Sequence, residues 1–563
     1  MSVSLVKSQQ FTKILTGSFV NTIGDSRSVN WIDLNKDGWM DCMITNGPFG
    51  GQNNFLYINS GSGTFTAVLS DTIVKDGKPS DGATWADADN DGDVDAFVVN
   101  YYDVNNLFYL NDGNGNFTQQ STGSLCNDGG YSETASWGDY DNDGLLDLYV
   151  ANSSGNLKNF LYHNTGSSTF AKINTGSVVN NTHSSRCVNW TDIDLDGDVD
   201  LFVTNESNEN EDIYENTGNG SFVLHSSGPL LNDGRFTMSG SWADIDNDGD
   251  LDVFLANDQA PNSLFRNDGN FVFTKLLNDT VSKGSGHAFS SAWSDIDNDG
   301  DLDLFVTYAF AGSSLQQNRL YLNDGAGSFT RIQDVVTADS SWSYGCAFAD
   351  YDNDGFEDLA VATVRFSGVD PSDFLYHNNG NGNHWLTLAC TGTLSNRSAI
   401  GTKVKVKSIL NGSSVWQMRE LSAQSSYCGQ NDPRAHFGLG SSTMIDSIRV
   451  EWPSGLVQHF TQVTADQFLS LTEGGSLSSV QSIPESLPFS IFPNPTQEIL
   501  HIDISQMADY HEMKYQLIDS AGKIAAEKTL LSPDISVAAF SPGIYFLRIE
   551  SQGKNGIQKL IIH

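Results

Sequence analysis

Seven acidic clusters carry the strongest chemical signal in this sequence. A nine-residue pattern, D-x-[DN]-x-D-G-x-x-D, begins at Asp33, Asp87, Asp139, Asp192, Asp244, Asp295 and Asp350. Acids or an amide at positions 1, 3 and 5 of a tight loop point inward together, and Gly at position 6 permits the sharp turn. A backbone carbonyl at position 7 and the acid at position 9 finish an oxygen shell. Calcium takes about six to eight hard oxygens at roughly 2.3–2.6 Å, which such a loop supplies. The expected ligands are Asp33, Asn35, Asp37, Trp39 and Asp41 in loop one, and Asp87, Asp89, Asp91, Asp93 and Asp95 in loop two. Loop three offers Asp139, Asp141, Asp143, Leu145 and Asp147, and loop four Asp192, Asp194, Asp196, Asp198 and Asp200. Loop five offers Asp244, Asp246, Asp248, Asp250 and Asp252, and loop six Asp295, Asp297, Asp299, Asp301 and Asp303. Loop seven offers Asp350, Asp352, Asp354, Phe356 and Asp358. Trp39, Leu145 and Phe356 stand at position 7, where only the carbonyl is used. Asn35 removes one charge from loop one and weakens that site. Zinc is disfavoured because no Cys or His lies within the loops, and magnesium because it keeps its waters. Plain Asp-Gly turns with solvated charge would explain one loop, but seven in register point to up to seven Ca²⁺.

The loops recur every 51 to 55 residues, so the elements that position them are repeats. Each unit carries an aromatic two residues before the motif: Trp31, Trp85, Trp137, Trp190, Trp242, Trp293 or Phe348. An apolar run follows the motif, such as Leu201-Phe202-Val203. Then comes a segment like Asn106-Leu107-Phe108-Tyr109-Leu110-Asn111, a Gly-rich turn, and a fourth segment centred on Phe65, Phe117, Phe170, Phe222, Phe271 or Phe329. Short apolar runs bounded by Gly, Asn and Asp read as strands. Four strands per unit and seven units predict an all-β fold, a seven-bladed β-propeller over residues 1–383 with two smaller β domains behind it. Gln10-Phe11-Thr12-Lys13 reads as a spare fourth strand, and unit seven lacks one after Asp373-Phe374-Leu375-Tyr376, so the amino-terminal strand is expected to close the last blade.

Composition narrows the function. The 563 residues carry a formal charge of −40, which excludes nucleic acid and anionic membrane surfaces as main partners. Only 17% of residues are charged and 39% are hydrophobic, so large cores are buried. No apolar stretch of about 18 residues exists to span a membrane. The 6 cysteines form no CxxC; Cys42 reads as a buried thiol, and Cys390 with Cys428 is the pair most worth checking for a disulfide.

The repeats resemble the FG-GAP or VCBS repeats of integrin-α-type propellers, over roughly residues 10–383. NHWLTLACTGTLSNRSAIGTKVKV (383–406), QMRELSAQSSYCGQNDPRAHFGLG (417–440) and IRVEWPSG (448–455) look like an ASPIC/UnbV domain, placed at 384–473, a family with no secure activity. Independently, Val404–Lys407 and Ile448–Glu451 alternate as half-buried strands. Arg397, Arg434 and His436 suggest an anion site, but hydrogen-bonded loop residues are the expected reading. Residues 474–488 read as a linker. FPNPT (492–496), LIDSAGK (517–523), SPGIYFLRI (541–549) and KLIIH (559–563) resemble the type A sorting domain of the bacterial type IX secretion system, a β-sandwich placed at 489–563. That resemblance implies type IX machinery as a partner, and a secreted or outer-surface bacterial location. Such cargo first crosses the inner membrane on a signal peptide, and MSVSLVKSQQ has no apolar core for one, so Met1 is read as an engineered or trimmed start.

The expected function is non-catalytic: a calcium-stabilised adhesion or ligand-binding protein whose partner is an extracellular glycan or protein. Calcium loops and the turns between third and fourth strands share one face, and longer, varied loops occupy the other. Binding resides on variable loops of a rigid scaffold, and Phe49, Tyr101, Tyr102, Tyr308, Phe310 and Phe366 could stack on a ligand or merely pack locally. A polysaccharide-active enzyme is the alternative, opposed by the commitment of 31 aspartates to the loops and the lack of HExxH, P-loop or nucleophile elbow. A purely structural surface component is the third reading.

Overall fold

The computed structural model describes residues 10–479 apart from 62, 278 and 284–285, and 490–562 apart from 504–512, 520–523, 531 and 552–553. It divides into two compact units, 1–480 and 481–563.

In the first unit each of seven successive repeats contributes a sheet of four antiparallel strands; those of units five and six are joined edge to edge through Asp252–Ala260 and Gly286–Ser294, and that of unit one takes Gly429–Gln430 as a fifth, parallel strand. Their inner strands are Ser26–Ile32, Ser80–Ala86, Ser132–Gly138, Ser185–Thr191, Phe236–Ala243, Gly286–Ser294 and Ser343–Ala349. The second strands all open on the ninth motif residue, from Asp41–Asn46 to Asp358–Thr363. Third strands end on an Asn, as in Phe55–Asn59 and Phe374–Asn378. Each inner strand packs on that of the next sheet, and Ser343–Ala349 packs on Ser26–Ile32, so the cycle closes and the all-β propeller reading holds. The seventh sheet takes its outer strand from the other end of the repeats: Phe11 pairs with Asn378 and Lys13 with Tyr376.

The core lies between sheets. Trp31, Trp85, Trp137 and Trp190 are among the largest fully buried side chains. The indole of Trp31 donates to the Ala347 carbonyl of sheet seven at 3.3 Å, and that of Trp190 to the Ser136 carbonyl of sheet three at 3.1 Å. One correction falls in unit five. Its outer strand is Phe273–Lys275, and Phe271 stands in the preceding turn at φ 60°, stacked on His225 at 4.4 Å. Phe273 follows Asn267 at the same interval as Phe65 follows Asn59 and Phe117 follows Asn111, so the turn matches those of the other units and Phe271 lies within it.

The module after the repeats has two four-stranded sheets. Ala435–Gly440, His384–Thr391, Gln467–Thr472 and Ser478–Ser479 form one; Ser413–Glu420, Lys403–Leu410, Met444–Glu451 and Val457–Thr464 form the other. The expected strands around 404–407 and 448–451 lie in the second sheet. Of the expected linker, 474–479 includes that short strand, and 480–488 lie outside the described residues. The module belongs to the same compact unit as the propeller, and its segment 422–432 enters the propeller's axis. Tyr427 and Cys428 are fully buried there, and Gly429–Gln430 pairs in parallel with Val29 and Asn30 of the first inner strand. A Cβ on Gly429 would lie 2.4 Å from the Cys346 carbonyl oxygen, so only glycine fits that passage.

The second unit has two sheets, Ser490–Phe492/Ile499–Asp503/Asp534–Ser536 and Ile524–Thr529/Lys514–Asp519/Gly543–Ser551/Lys554–Ile562. Leu500, Ile502 and Ile535 from one meet Leu517, Leu547 and Leu560 from the other in a single core, a small β-sandwich. No described helix is long and apolar enough to cross a membrane. All six cysteines are free, so Cys390 and Cys428 form no disulfide, and Cys42 is buried as expected.

Candidate metal loops and ligand face

Each motif loop is built by its own backbone. In loop one the Asp33 carboxylate accepts the amides of Asp37 at 3.1 Å and Gly38 at 2.9 Å, and Asp37 Oδ1 accepts the Trp39 amide at 3.0 Å. The ninth residue anchors the loop to its sheet: Asp41 takes the Leu34 amide at 3.1 Å and the Asn59 amide at 2.7 Å. The same pattern recurs in the other units, for example Asp91 and Gly92 on Asp87, and Asn111 on Asp95. Positions 1, 3 and 9 converge: Asp87/Asp89/Asp95, Asp139/Asp141/Asp147 and Asp192/Asp194/Asp200 each bring three carboxylate oxygens within 4.8 Å of one another.

Burial, with neighbouring charge behind it, leaves these acids reluctant to ionise. Burial, set against backbone hydrogen bonds and reinforced by neighbouring aspartates, raises Asp33 and Asp87 to about 6 and Asp139 and Asp244 to about 7. Asp41 and Asp95 rise to about 8, and Asp147, Asp200 and Asp252 to about 9, for the same leading cause. At position 3, buried Oδ1 atoms of Asp141, Asp246 and Asp352 have no hydrogen-bond partner. Hard carboxylate oxygens that converge, resist ionisation alone and at position 3 include atoms without a donor fit a divalent cation.

Two sets of residues that tie the loops together escaped the sequence reading. The Asn closing each third strand reaches into the preceding sheet. Asn59 Nδ2 bonds Tyr351 O at 2.7 Å, Asn111 bonds Leu34 O at 3.0 Å, Asn164 bonds Ala88 O at 2.9 Å and Asn216 bonds Tyr140 O at 2.7 Å. Asn267, Asn323 and Asn378 complete the series on Ile193, Ile245 and Ile296. Position 4, at φ 54–63°, links each loop forward instead. Asn90 bonds Gly144 O at 2.9 Å, Asn298 bonds Gly355 O at 2.8 Å and Asn353 bonds Gly38 O at 3.0 Å. Leu195 has no such donor, so the forward chain skips the step from loop four to loop five. The recurrence of Asn at both places was the available signal.

The module docks on the motif-loop side. Lys403 bonds Asp192 in a buried ion pair, Arg397 faces Asp87 at 3.7 Å, and the Gly438 amide donates to Asp295 at 3.0 Å. Arg434 holds Asp432 and donates to the Asp350 carbonyl at 3.2 Å. His436 bonds Asn298 at 2.7 Å, and burial followed by Arg419 and Arg434 pushes it down to about 3. Arg397, Arg434 and His436 are therefore hydrogen-bonded joint residues, as the blander expectation had it.

From that side the 422–432 segment runs down the axis. Its carbonyls take Thr84 Oγ1, Asn189 Nδ2 and Ser290 Oγ, and its tip, Tyr427, emerges among residues near the start of the inner strands. There the Tyr427 hydroxyl meets Glu133 at 2.5 Å, Asp81 at 3.0 Å and Tyr344 at 3.0 Å. Arg186 pairs with Glu133 at 2.6 Å, and Arg27 lies 3.5 Å from Asp81. Burial and then Glu133 push Asp81 up; Glu133 is also buried, but Arg186 holds it below the usual range.

Around this floor stand aromatic loop residues. Phe49, 83% exposed, meets Tyr102 edge-on at 5.1 Å, and Tyr101 touches both Tyr102 and Tyr131. Across the mouth Phe310, Trp342 and Phe366 form a second chain, at 4.8 Å and 4.9 Å between rings. Tyr308 does not belong here. It is 1% exposed in the core under Arg319, because it ends a fully buried second strand.

Comparison with known proteins fits this architecture. The FG-GAP-like repeat profile matches six successive spans between residues 33 and 361. The chain belongs to the FG-GAP-like repeat family. ASPIC and UnbV matches 392–478, and the secretion system C-terminal sorting domain matches 490–563. Cartilage acidic protein 1 of Xenopus tropicalis is 28% identical over 277 residues, 47% of this chain and 41% of that protein. The mouse protein (Mus musculus) is 28% identical over 267 residues, 46% of this chain and 40% of its own. The chain thus spans about two-fifths of the curated relatives it matches. Among solved structures, the BP39L lectin of Burkholderia pseudomallei matches at 12% identity and a TM-score of 0.44, over 64% of this chain and 98% of the lectin. The extracellular domain of the one-component system BT4673 from B. thetaiotaomicron matches at 9% identity and a TM-score of 0.41, over 99% and 58%. The type IX sorting domain marks an FG-GAP protein that is secreted or held at the bacterial outer surface, and makes that machinery its partner.

Proposed function

We propose that this FG-GAP protein is a calcium-bound ligand-binding propeller that recognises an extracellular glycan or protein through the face opposite its motif loops. The observation that carries this reading is the paired aromatic chains around a charged floor. Exposed rings such as Phe49, Tyr102 and Phe310 present apolar faces to solvent, while Arg27, Asp81, Glu133 and Arg186 keep polar groups beneath them. Rigid aromatic anchors beside fixed polar groups suit recognition of sugars or peptide side chains. Calcium holds the loops on the far side and so fixes the scaffold.

An array of glycans and extracellular matrix proteins, probed with and without calcium, tests the proposal. Binding that is lost in a Phe49→Ser/Tyr102→Ser variant of unchanged melting temperature supports it. Binding to nothing favours the structural reading, and turnover of a glycan favours the enzyme.

A further inference from the structure

The seven loops are not alike, and two of them share a variation in three separate places. In sheets three and seven the third strand has the same sequence, Phe160-Leu161-Tyr162-His163-Asn164 and Phe374-Leu375-Tyr376-His377-Asn378. The equivalent of the His is Ile58, Leu110 or Leu322 in sheets one, two and six, and Glu215 or Arg266 in sheets four and five. The same two loops have Tyr at position 2, Tyr140 and Tyr351, and an apolar residue at position 7, Leu145 and Phe356. Loops two, four, five and six have Asp at position 7. These loops thus exchange one carboxylate for one imidazole.

The imidazole is aimed at the loop. His163 Nδ1 lies 3.1 Å from Asp147 Oδ1 and 3.5 Å from Asp141 Oδ2. His377 Nδ1 lies 3.1 Å from Asp358 Oδ1 and 3.3 Å from Asp352 Oδ2. Tetrahedral bonds of about 2.0–2.1 Å place neighbouring donors roughly 3.3–3.4 Å apart, the spacing of a zinc site. Asp141, Asp143 and His163, and likewise Asp352, Asp358 and His377, present donor atoms within 4.8 Å of one another. In both loops the buried Oδ1 of the third residue, Asp141 or Asp352, has no hydrogen-bond partner. The Tyr140 ring stands 6.0 Å from His163, and the Tyr351 ring 6.4 Å from His377, walling the same side of each site.

We infer that loops three and seven are mixed nitrogen–oxygen sites that take a divalent transition ion of the Zn²⁺ class in preference to calcium. Imidazole is a good ligand for zinc and its neighbours in the transition series, whereas calcium selects oxygen. The motif residues alone disfavour zinc, but the fold brings in a histidine from outside the motif. The inference rests on reading the motif loops as cation sites.

The test is metal stoichiometry on the full chain. Protein stripped with chelator is equilibrated with Zn²⁺ in a large excess of Ca²⁺, desalted and analysed for both elements. Wild type is expected to retain two Zn²⁺ per chain. His163→Leu and His377→Leu each retain one, and the double variant none; leucine is what sheets two and six carry at this position, and unchanged melting curves certify the fold. No retained zinc in wild type, or two zinc ions in the double variant, overturns the inference. Calcium at the remaining loops with no zinc would leave the calcium reading intact, and two zinc ions with no calcium anywhere would overturn that reading while sparing this one.

Discussion

On the proposed calcium reading of the motif loops, removing the metal should lower stability and also reverse its dependence on pH. In the metal-free chain the ninth-position acids are raised: Asp95 to about 8, Asp147, Asp200 and Asp252 to about 9, chiefly by burial. An unfolded aspartate titrates near about 3.9. A folded value above the unfolded one means the folded state binds the extra proton. Its stabilising effect is therefore complete below about pH 4 and is lost as pH rises through 8 to 9. At roughly 1.4 kcal/mol per unit, the rise of Asp95 corresponds to at most about 5 kcal/mol. Bound calcium favours the ionised acids and reverses the sign: its stabilisation is present at neutral pH and disappears as acid displaces the metal. At a hundredfold excess over the dissociation constant each site adds about 2.7 kcal/mol, so even a few sites rival a net stability of about 5–15 kcal/mol. Thermal unfolding should be followed from pH 5 to 9 in chelator and in calcium. The chelated protein is expected to melt lower as pH rises, and the calcium form to melt many degrees higher at pH 8 with the gap closing toward pH 5. Equal melting curves at pH 8, with elemental analysis confirming a metal-free sample, would refute the reasoning.

Two further outcomes follow from the joints. Asn111→Ala removes bonds to the Leu34 carbonyl at 3.0 Å and the Val94 carbonyl at 3.2 Å, and leaves the part-buried Gly113 and Gly115 amides, both at 3.2 Å, without their acceptor. At about 1 kcal/mol per buried hydrogen bond, urea unfolding should show a loss of roughly 3 kcal/mol, and no loss would mean water replaces the side chain. Tyr427→Phe removes the one hydroxyl proton shared between Glu133 at 2.5 Å and Asp81 at 3.0 Å, and a charged hydrogen bond is worth about 1.5–3 kcal/mol. Denaturation should register a loss of about one such bond, with faster proteolysis within 422–432 if the segment loosens; an unchanged curve would mean that Tyr344 on Asp81 and Arg186 on Glu133 suffice.

Much of this was legible in the sequence because it is local and repeated. The motif's acids, its glycine and the aromatic before it act within one unit, and seven copies average out accidents. Phe11–Lys13, read as a spare outer strand, pairs with Phe374–Asn378. What stayed hidden acts between units. Asn59 looks like the end of a strand until the fold sets it against Tyr351, and His163 looks scattered until it faces Asp147. Tyr427 lies in a polar stretch without periodicity, and only the empty axis of a ring explains why it is buried. Phe271 misled because it and Phe273 are equally apolar, and turn length alone decides which begins the strand.

The way the ring is closed bears on when it can fold. A chain emerging amino terminus first presents Phe11–Lys13 early, yet its strand partner, Phe374–Asn378, is among the last pieces of the repeats. The axial segment comes later still, and Gly429 must find Val29. Both closures join distant parts of the chain, and loop-closure entropy must be met before such contacts reward it. The early sheets can form singly as they appear, but the last sheet is complete only once residues 374–378 are available, and the axial segment adds its contacts after residue 430. Non-local closure of this kind slows folding, and until it is made the unpaired strand edges of the nearly complete polypeptide are open to aggregation.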